Sequence, residues 1–224
     1  MATFRIFIAD DHEVVRKGLV ALLQAQPDWQ VCGEAGDGRE AVEKVQQLRP
    51  DVVILDIGMP SLNGLEATRQ ILKLNPQARV LILTLHDSDQ VVREVLNAGA
   101  RGFLLKSDAA RDLVAAVEAL RRDKTYFTSK VAAMVLEGYL KGGTPGAIPT
   151  VGRNRLTPRE REIVQLLAEG KSTKEVAVAL GLSVKTAETH RSNIMRKLQL
   201  HSVSDLVLYA VRNNIVHVVQ AGIE

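Results

Sequence analysis

The first part of the chain reads as a doubly wound α/β domain and the last part as a small all-helical domain, on three observations. Four short apolar runs, Arg5–Ala9, Val52–Leu55, Val80–Leu83 and Phe103–Leu105, are continuous rather than alternating, the pattern of strands buried on both faces of a parallel sheet. Segments of helical period separate them. Beyond residue 152 the strand pattern stops and helix-start signals recur at short intervals.

Taken in order, the helical segments fall at about His12–Gln26, Asp37–Leu48, Gly64–Leu74, Ser88–Ala98 and Ala109–Arg121, and a further strand near Gln30–Ala35 fills the remaining gap. The first helix carries Val14, Val15, Leu19, Leu22 and Leu23 at one-face spacing. Strict alternation of strand and helix implies right-handed crossovers and a five-stranded parallel sheet of order 2-1-3-4-5. Ser129–Leu140 reads as one more helix with an apolar stripe, able to pack on either domain, and the Gly/Pro-rich Lys141–Gly152 as a linker. The expected limits are 3–122 for the sheet domain, 123–152 for helix and linker, and 153–218 for the helical domain.

Five residues, Asp10, Asp11, Asp56, Thr84 and Lys106, each fall where an apolar run ends. Ligands of open α/β sheets bind outside the carboxyl ends of the strands, so three carboxylates, a hydroxyl and an ammonium converge at one edge. Clustered carboxylates repel one another unless a hard cation sits among them, and Mg²⁺ takes oxygen ligands while keeping several waters. Asp56 alone is followed by a turn, Gly58-Met59-Pro60-Ser61, that leaves room for an in-line phosphoryl donor. Phosphoryl transfer is mostly positioning plus charge stabilisation, tasks that suit a metal, Lys106 and the Thr84 hydroxyl, and a carboxylate can serve as covalent acceptor.

At Asp10-Asp11, Asp56-Ile-Gly-Met-Pro-Ser-Leu-Asn-Gly64, Thr84 and Gly102-Phe-Leu-Leu-Lys106 the chain resembles the receiver domain of two-component response regulators, a flavodoxin-like fold. The resemblance implies that Asp56 is the phosphoacceptor, with Asp11, Asp56 and the Gly58 carbonyl as Mg²⁺ ligands and Asp10 acting through metal-bound water. It also implies a switch pair, in which the Thr84 hydroxyl moves toward the phosphoryl group and the Phe103 ring turns inward behind it. Gly58 and His86 would tune the lifetime of the phosphoryl group. Ser107 departs from the pattern, since many receivers carry proline there.

Taken singly, each residue has an ordinary role. Asp11 could cap a helix, Lys106 could be a solvated strand end, Thr84 an ordinary strand residue and Asp56 a turn former. Five of them at strand ends in this order leave those roles little room. Two other functional classes compete. A phosphatase-like hydrolase would use Asp56 as nucleophile, but Gly58 stands where a second general acid would be needed. A small-ligand sensor, as in quorum-sensing regulators, needs an apolar pocket that buried strands and an acidic edge do not offer.

Charge is uneven: residues 1–124 hold 16 Lys/Arg against 18 Asp/Glu, whereas residues 153–200 hold 10 against 5. The overall charge of +3 hides a basic second domain, the footprint of a nucleic-acid binder or simply a solvated basic face. Helix punctuation decides between them. Thr157-Pro-Arg-Glu160 and Ser172-Thr-Lys-Glu175 are capping boxes, Ser183 caps a third helix after Gly181, and Ser202-Val-Ser-Asp205 opens a fourth. Thr173–Leu180, a tight turn at Gly181-Leu182 and Val184–Leu198 have helix-turn-helix proportions. Val176, Ala177, Leu180, Leu182, Ala187, Ile194 and Leu198 would face inward, and Lys185, Glu188, Thr189, Arg191, Ser192 and Arg196 outward.

Leu156-Thr-Pro-Arg-Glu160, Gly170-Lys-Ser-Thr-Lys-Glu-Val-Ala177 and the run Ser183–Leu198 resemble the LuxR-type four-helix DNA-binding domain, and a receiver followed by it resembles the NarL/FixJ family of response regulators. Ala187 stands where the family often has valine. The resemblance implies a third helix in the major groove, with Lys185, Glu188, Thr189 and Ser192 toward bases or nearby phosphates, His190 and Arg191 toward the backbone, and Thr186 and Arg196 also contacting DNA. His190 could instead be a core histidine satisfied by a backbone group. The implied partners are a sensor histidine kinase, double-stranded promoter DNA, a second copy of the chain on phosphorylation, and RNA polymerase. A single cysteine, Cys32, excludes an internal disulfide and lies in an apolar strand pattern, and no Cys/His cluster has zinc-ligand spacing. The chain enters a strand directly and has no run near the ~18 apolar residues of a membrane span, so a cytoplasmic protein without membrane contact is expected.

Overall fold

Strands and helices alternate strictly through the first unit: β1 Phe4–Ala9, α1 Glu13–Gln24, β2 Trp29–Ala35, α2 Gly38–Leu48, β3 Val52–Asp56, α3 Gly64–Leu74, β4 Arg79–Thr84, α4 Asp89–Ala98, β5 Gly102–Leu105 and α5 Ala109–Arg121. This is a computed structural model, and it describes residues 3–85, 88–127, 131 and 156–216. The chain divides into two units, Met1–Thr150 and Val151–Glu224. The strands form one parallel sheet in the order β2-β1-β3-β4-β5, as expected from the alternation.

Two apolar layers sandwich the sheet, and the strand period of two divides residues between them. On β3, Val53 and Leu55 pack with Ala41 and Val45 of α2, Leu65 and Ile71 of α3 and Val91, Val92 and Val95 of α4. Val52 and Ile54 pack on the other face with Leu19 and Leu23 of α1 and Leu113, Ala116, Val117 and Leu120 of α5. Every residue of β3 is buried, which explains its uninterrupted apolar run. Val14 does not join the inner face of α1 as the spacing suggested, and is 86% exposed. At about 100° per residue it stands roughly 140° around the helix from Leu19, outside the stripe that Leu19 and Leu23 define.

Helix starts follow their capping chemistry. The Asp37, Asn63 and Ser88 side chains accept from the first-turn amides of α2, α3 and α4. α1 differs, because its N-cap is His12, whose side chain makes no capping bond, so Asp11 is not the cap it could have been. Lys106–Asp108 form a single 3₁₀ turn leading into α5, where Ser107 replaces proline. Of the helix expected over Ser129–Leu140 only Val131 is described, buried against the α2–α4 layer, and the expected linker and His86 lie outside the described residues.

The second unit contains α6 Pro158–Ala168, α7 Thr173–Ala179, α8 Val184–Leu198 and α9 Val203–Arg212. Its core gathers Ile163, Val164 and Leu166 of α6, Val176 of α7, Ile194 of α8, Leu206 and Ala210 of α9, and Leu180. Thr157, Ser172 and Ser202 each complete a reciprocal capping box, with Glu160, Glu175 and Asp205.

One close approach fixes the loop after β3. A Cβ on Gly64 would lie 2.0 Å from the Asp56 carbonyl oxygen, and the Gly64 amide donates to the Ile57 carbonyl at 3.0 Å. Gly64→Ala must therefore push α3 and the loop apart. We expect a loss of about 1–3 kcal/mol, the usual cost of overpacking, measured by denaturant unfolding. A neutral outcome would show that the loop yields freely.

Candidate phosphoacceptor site and nucleic-acid interface

Parallel register brings the five strand-end residues together. Ala9 pairs with Leu55, so Asp10 stands beside Asp56, and Thr84 is the last residue of β4 beside Leu105, one residue before Lys106. Asp10, Asp56 and Thr84 are buried, and the Lys106 side chain is only 8% exposed, so it is not a solvated strand end. Its Nζ lies 2.8 Å from Asp10 Oδ2 and 2.9 Å from Asp56 Oδ2. One ammonium thus bridges two carboxylates at the sheet edge.

Electrostatics here are set by burial first. Burial pushes the Asp56 carboxyl up to about 6; Lys106 pulls it down, while the Asp10 and Asp11 charges push it further up. Burial opposes the charge on Lys106 as well, yet Asp56 and Asp10 outweigh it and hold the ammonium above its ordinary value.

The edge is also suited to a divalent cation. One ligand atom from each of Asp10, Asp11, His12 and Asp56 lies within 4.8 Å of the others. Asp10 Oδ2 and Asp11 Oδ1 are buried oxygens that accept no well-formed hydrogen bond among the described residues; each instead faces a cation or a titratable nitrogen, Lys106 and His12 respectively. A set of hard carboxylate oxygens at a buried edge fits Mg²⁺. Gly58 sits in the loop after Asp56, half-buried between the buried Ile57 and Met59. His12 was not singled out from the sequence, although its position directly after the acidic pair was a usable signal.

Phe103 is buried in the same layer as Val91, Val92 and Val95 of α4. The inward ring that the resemblance associates with phosphorylation is therefore already present. Arg69 of α3 ties α3 to α4 by pairing with Glu66 at 2.9 Å and Glu94 at 3.0 Å.

In the second unit α7 and α8 pack around a turn at Gly181, whose φ of +62° needs no Cβ. Ala177, Ala187 and Ile194 are buried and Leu182 and Leu198 partly so, as the spacing implied. Lys185, Thr186, Glu188, Thr189, Ser192 and Arg196 are exposed along α8. Some are engaged internally: the Thr186 hydroxyl sits 2.7 Å from the Ser183 Oγ cap, the Thr189 hydroxyl donates to the Lys185 carbonyl at 2.9 Å, and Arg196 donates to Asn193 Oδ1 at 3.0 Å. Arg191, expected on the outer face, is half-buried and donates to Thr173 Oγ1 of α7 at 3.2 Å, bracing the two helices. His190 is half-buried, and among the described residues no backbone group is seen to satisfy it.

A buried acidic cluster at the edge of a doubly wound sheet, in a chain that also carries a helix-turn-helix unit, is the arrangement of a signal-receiving DNA-binding regulator. Residues 6–118 match the response regulator receiver domain and residues 154–210 match the bacterial regulatory proteins of the luxR family. The transcriptional regulatory protein LiaR of Bacillus subtilis (strain 168) is 40% identical over 213 residues, covering 95% of this chain and 99% of its own. The oxygen regulatory protein NreC of Staphylococcus carnosus is 40% identical, covering 94% and 98%. Among solved structures, Salmonella typhimurium RcsB has a TM-score of 0.63 at 26% identity, covering 95% of this chain and 99% of that one; an RcsB–DNA complex has 0.61 at 27%, covering 92% and 98%. The chain belongs to the NarL/FixJ-family two-component response regulators and is a DNA-binding regulator of transcription. Its relatives are transcriptional regulators rather than enzymes, and among its described residues no helix is long and apolar enough to cross a membrane.

The charge on Asp56 carries a stability consequence. Its native pKa, about 6, lies above the ordinary 3.8, so the native state is favoured fully below pH 3.8 and loses that advantage as pH rises through 6. Asp56→Asn removes the charge. In EDTA the variant should exceed wild type by about 1–3 kcal/mol at pH 8, with the gain shrinking toward pH 4.5 when the receiver transition is followed by urea unfolding. A gain independent of pH would contradict the burial argument.

Proposed function

We propose that Asp56 accepts a phosphoryl group from a sensor histidine kinase, and that the modified receiver favours homodimerisation and binding of the helix-turn-helix unit to promoter DNA in the cytoplasm. The observation that carries this is the Asp56 carboxylate, buried at a strand end, bridged by Lys106 and flanked by Asp10 and Asp11. The receiver spans 3–122, a helical segment and linker 123–152, and the DNA-binding domain 153–218.

Asp11, Asp56 and the Gly58 carbonyl would hold Mg²⁺, with Asp10 acting through its water. Bound there, the ion supplies positive charge that offsets the phosphoryl oxygens. An Asp56 oxygen attacks phosphorus as the bond to the kinase histidine breaks. Lys106 neutralises one equatorial oxygen and the Thr84 hydroxyl donates to another. Thr84 and Phe103 form the switch. Because the two states must differ in free energy for the signal to travel, the hydroxyl contact made only with the phosphoryl group is what biases the equilibrium.

On the DNA side, α8 enters the major groove. Lys185, Glu188, Thr189 and Ser192 approach bases or nearby phosphates, His190 and Arg191 the backbone, and Thr186 and Arg196 the flanks. RcsB, a structural neighbour, has been solved bound to DNA, and as two dimers on two parallel DNAs, which supports both the interface and the dimer. Recruitment of RNA polymerase completes the proposed activity.

Incubation with acetyl phosphate and Mg²⁺ should add one phosphate, detected by mass spectrometry, and Asp56→Asn should abolish it with the fold intact. Full labelling of the variant would sink the assignment. For DNA, Lys185→Ala should weaken binding to all sequences alike and flatten the salt dependence by about one unit of slope if a phosphate contact is lost. Thr189→Ala should instead shift site preference by about 1–3 kcal/mol. Equal losses on specific and random DNA with an unchanged salt slope for both variants would remove α8 as the reading element.

A further inference from the structure

We infer that His12 supplies a nitrogen ligand to the divalent ion of the acidic edge, so that the site favours first-row transition ions such as Mn²⁺ and Ni²⁺ over Mg²⁺ more strongly than an all-oxygen set would. The inference rests on the proposal that Asp11 and Asp56 hold that ion.

Geometry places the ring among the ligands. His12 Nδ1 lies 2.8 Å from Asp11 Oδ1 and 3.4 Å from Asp10 Oδ1. In an octahedron with bonds of about 2.1 Å, adjacent ligands stand about 3.0 Å apart and opposite ones about 4.2 Å. The His12–Asp11 separation is near an octahedral edge, and one ligand atom from each of Asp10, Asp11, His12 and Asp56 lies within 4.8 Å of the others, which keeps Asp10 near enough to act through a bound water.

The two nitrogens at this edge reach different oxygens. Lys106 occupies Oδ2 of both Asp10 and Asp56, whereas His12 faces Oδ1 of Asp10 and Asp11, so the ring and the ammonium do not compete for a lone pair. The His12 amide donates to Asp10 Oδ1 at 2.9 Å, which fixes the residue beside the site through its backbone. Its side chain, 54% exposed, caps no helix, so turning onto an ion costs no helix cap. Imidazole binds first-row ions in increasing order from Mn²⁺ to Ni²⁺ and adds little for Mg²⁺, which takes oxygen. Neither Asp11 Oδ1 nor the ring would lose a partner, because the contact they now share would pass to the ion between them.

The test uses the full chain. Mn²⁺ is bound and its electron spin echo modulation recorded with natural-abundance and with ¹⁵N-histidine-labelled protein. We expect directly coordinated nitrogen that changes on labelling and is absent in His12→Gln, which keeps the backbone donation to Asp10. By calorimetry, the ratio of Ni²⁺ to Mg²⁺ affinity should fall about tenfold in the same variant. Bound Mn²⁺ without histidine nitrogen coupling, or coupling that survives His12→Gln, overturns the inference whatever the affinities do, and leaves the oxygen site standing. Failure of wild type to bind any divalent ion would overturn both the inference and the metal reading beneath it.

Discussion

Two buried carboxylates held by one ammonium are the constraint around which the receiver is arranged. Asp10 and Asp56 lie side by side because β1 and β3 are neighbours in register, and side by side they repel in a medium that screens poorly. Lys106 reduces that repulsion but does not abolish it, since Asp56 still titrates near 6. The resting site therefore carries unsatisfied negative charge, which is what makes it receptive to a cation. Replacing a buried charge array of this kind with apolar residues tends to be neutral or stabilising, so the array is a weak source of stability for the fold.

The surrounding fold keeps this array in place by means that do not depend on charge. β3 is apolar on both faces up to Leu55, so the chain can present a carboxylate only at the last residue of the strand. The Gly64 contact with the Asp56 carbonyl presses the following loop against that strand end, and Met59 and Leu62 anchor it in the α2–α4 layer. In the second unit the corresponding task falls to side chains at helix ends. Arg159 donates to the Leu180 carbonyl at 2.7 Å, Lys197 reaches the Glu160 of the first capping box at 2.7 Å, and Arg191 reaches Thr173. These bonds set the angle between helices whose shared core is small. The outward side of α8 stays exposed.

Much of this was legible because period and punctuation are local properties. Continuous apolar runs located the strands, and the Gly64–Leu74 and Ala109–Arg121 helices agree with their structural limits residue for residue. Capping boxes at Thr157 and Ser172 were readable for the same reason, as both partners lie within four residues. What escaped depends on distance in sequence or on angle around a helix. Val14 looked like a core residue because spacing alone does not say where a stripe ends. The Arg69 bridge to Glu94, and the Asp123 carboxylate shared by Arg79 and Arg101, join segments whose proximity follows only from the folded sheet. His12 was missed because it was read only as the first residue of the helix expected over His12–Gln26, yet its ring lies against the acidic pair.

The buried Phe103 bears on how the signal leaves the site. An interaction present equally on both sides of an equilibrium shifts nothing, so a buried Phe103 ring can carry a signal only through a change in its packing. In the proposed switch, the contact made only with the phosphoryl group is that of the Thr84 hydroxyl. The ring's packing against Val91, Val92 and Val95 gives that contact a mechanical route, because any movement of the β4 end is felt by α4 through the shared layer. α4 is in turn tied to α3 by Arg69, and α3 begins at the Gly64 contact with Asp56. Asp56, α3, α4 and the Phe103 ring are therefore linked by one continuous chain of contacts.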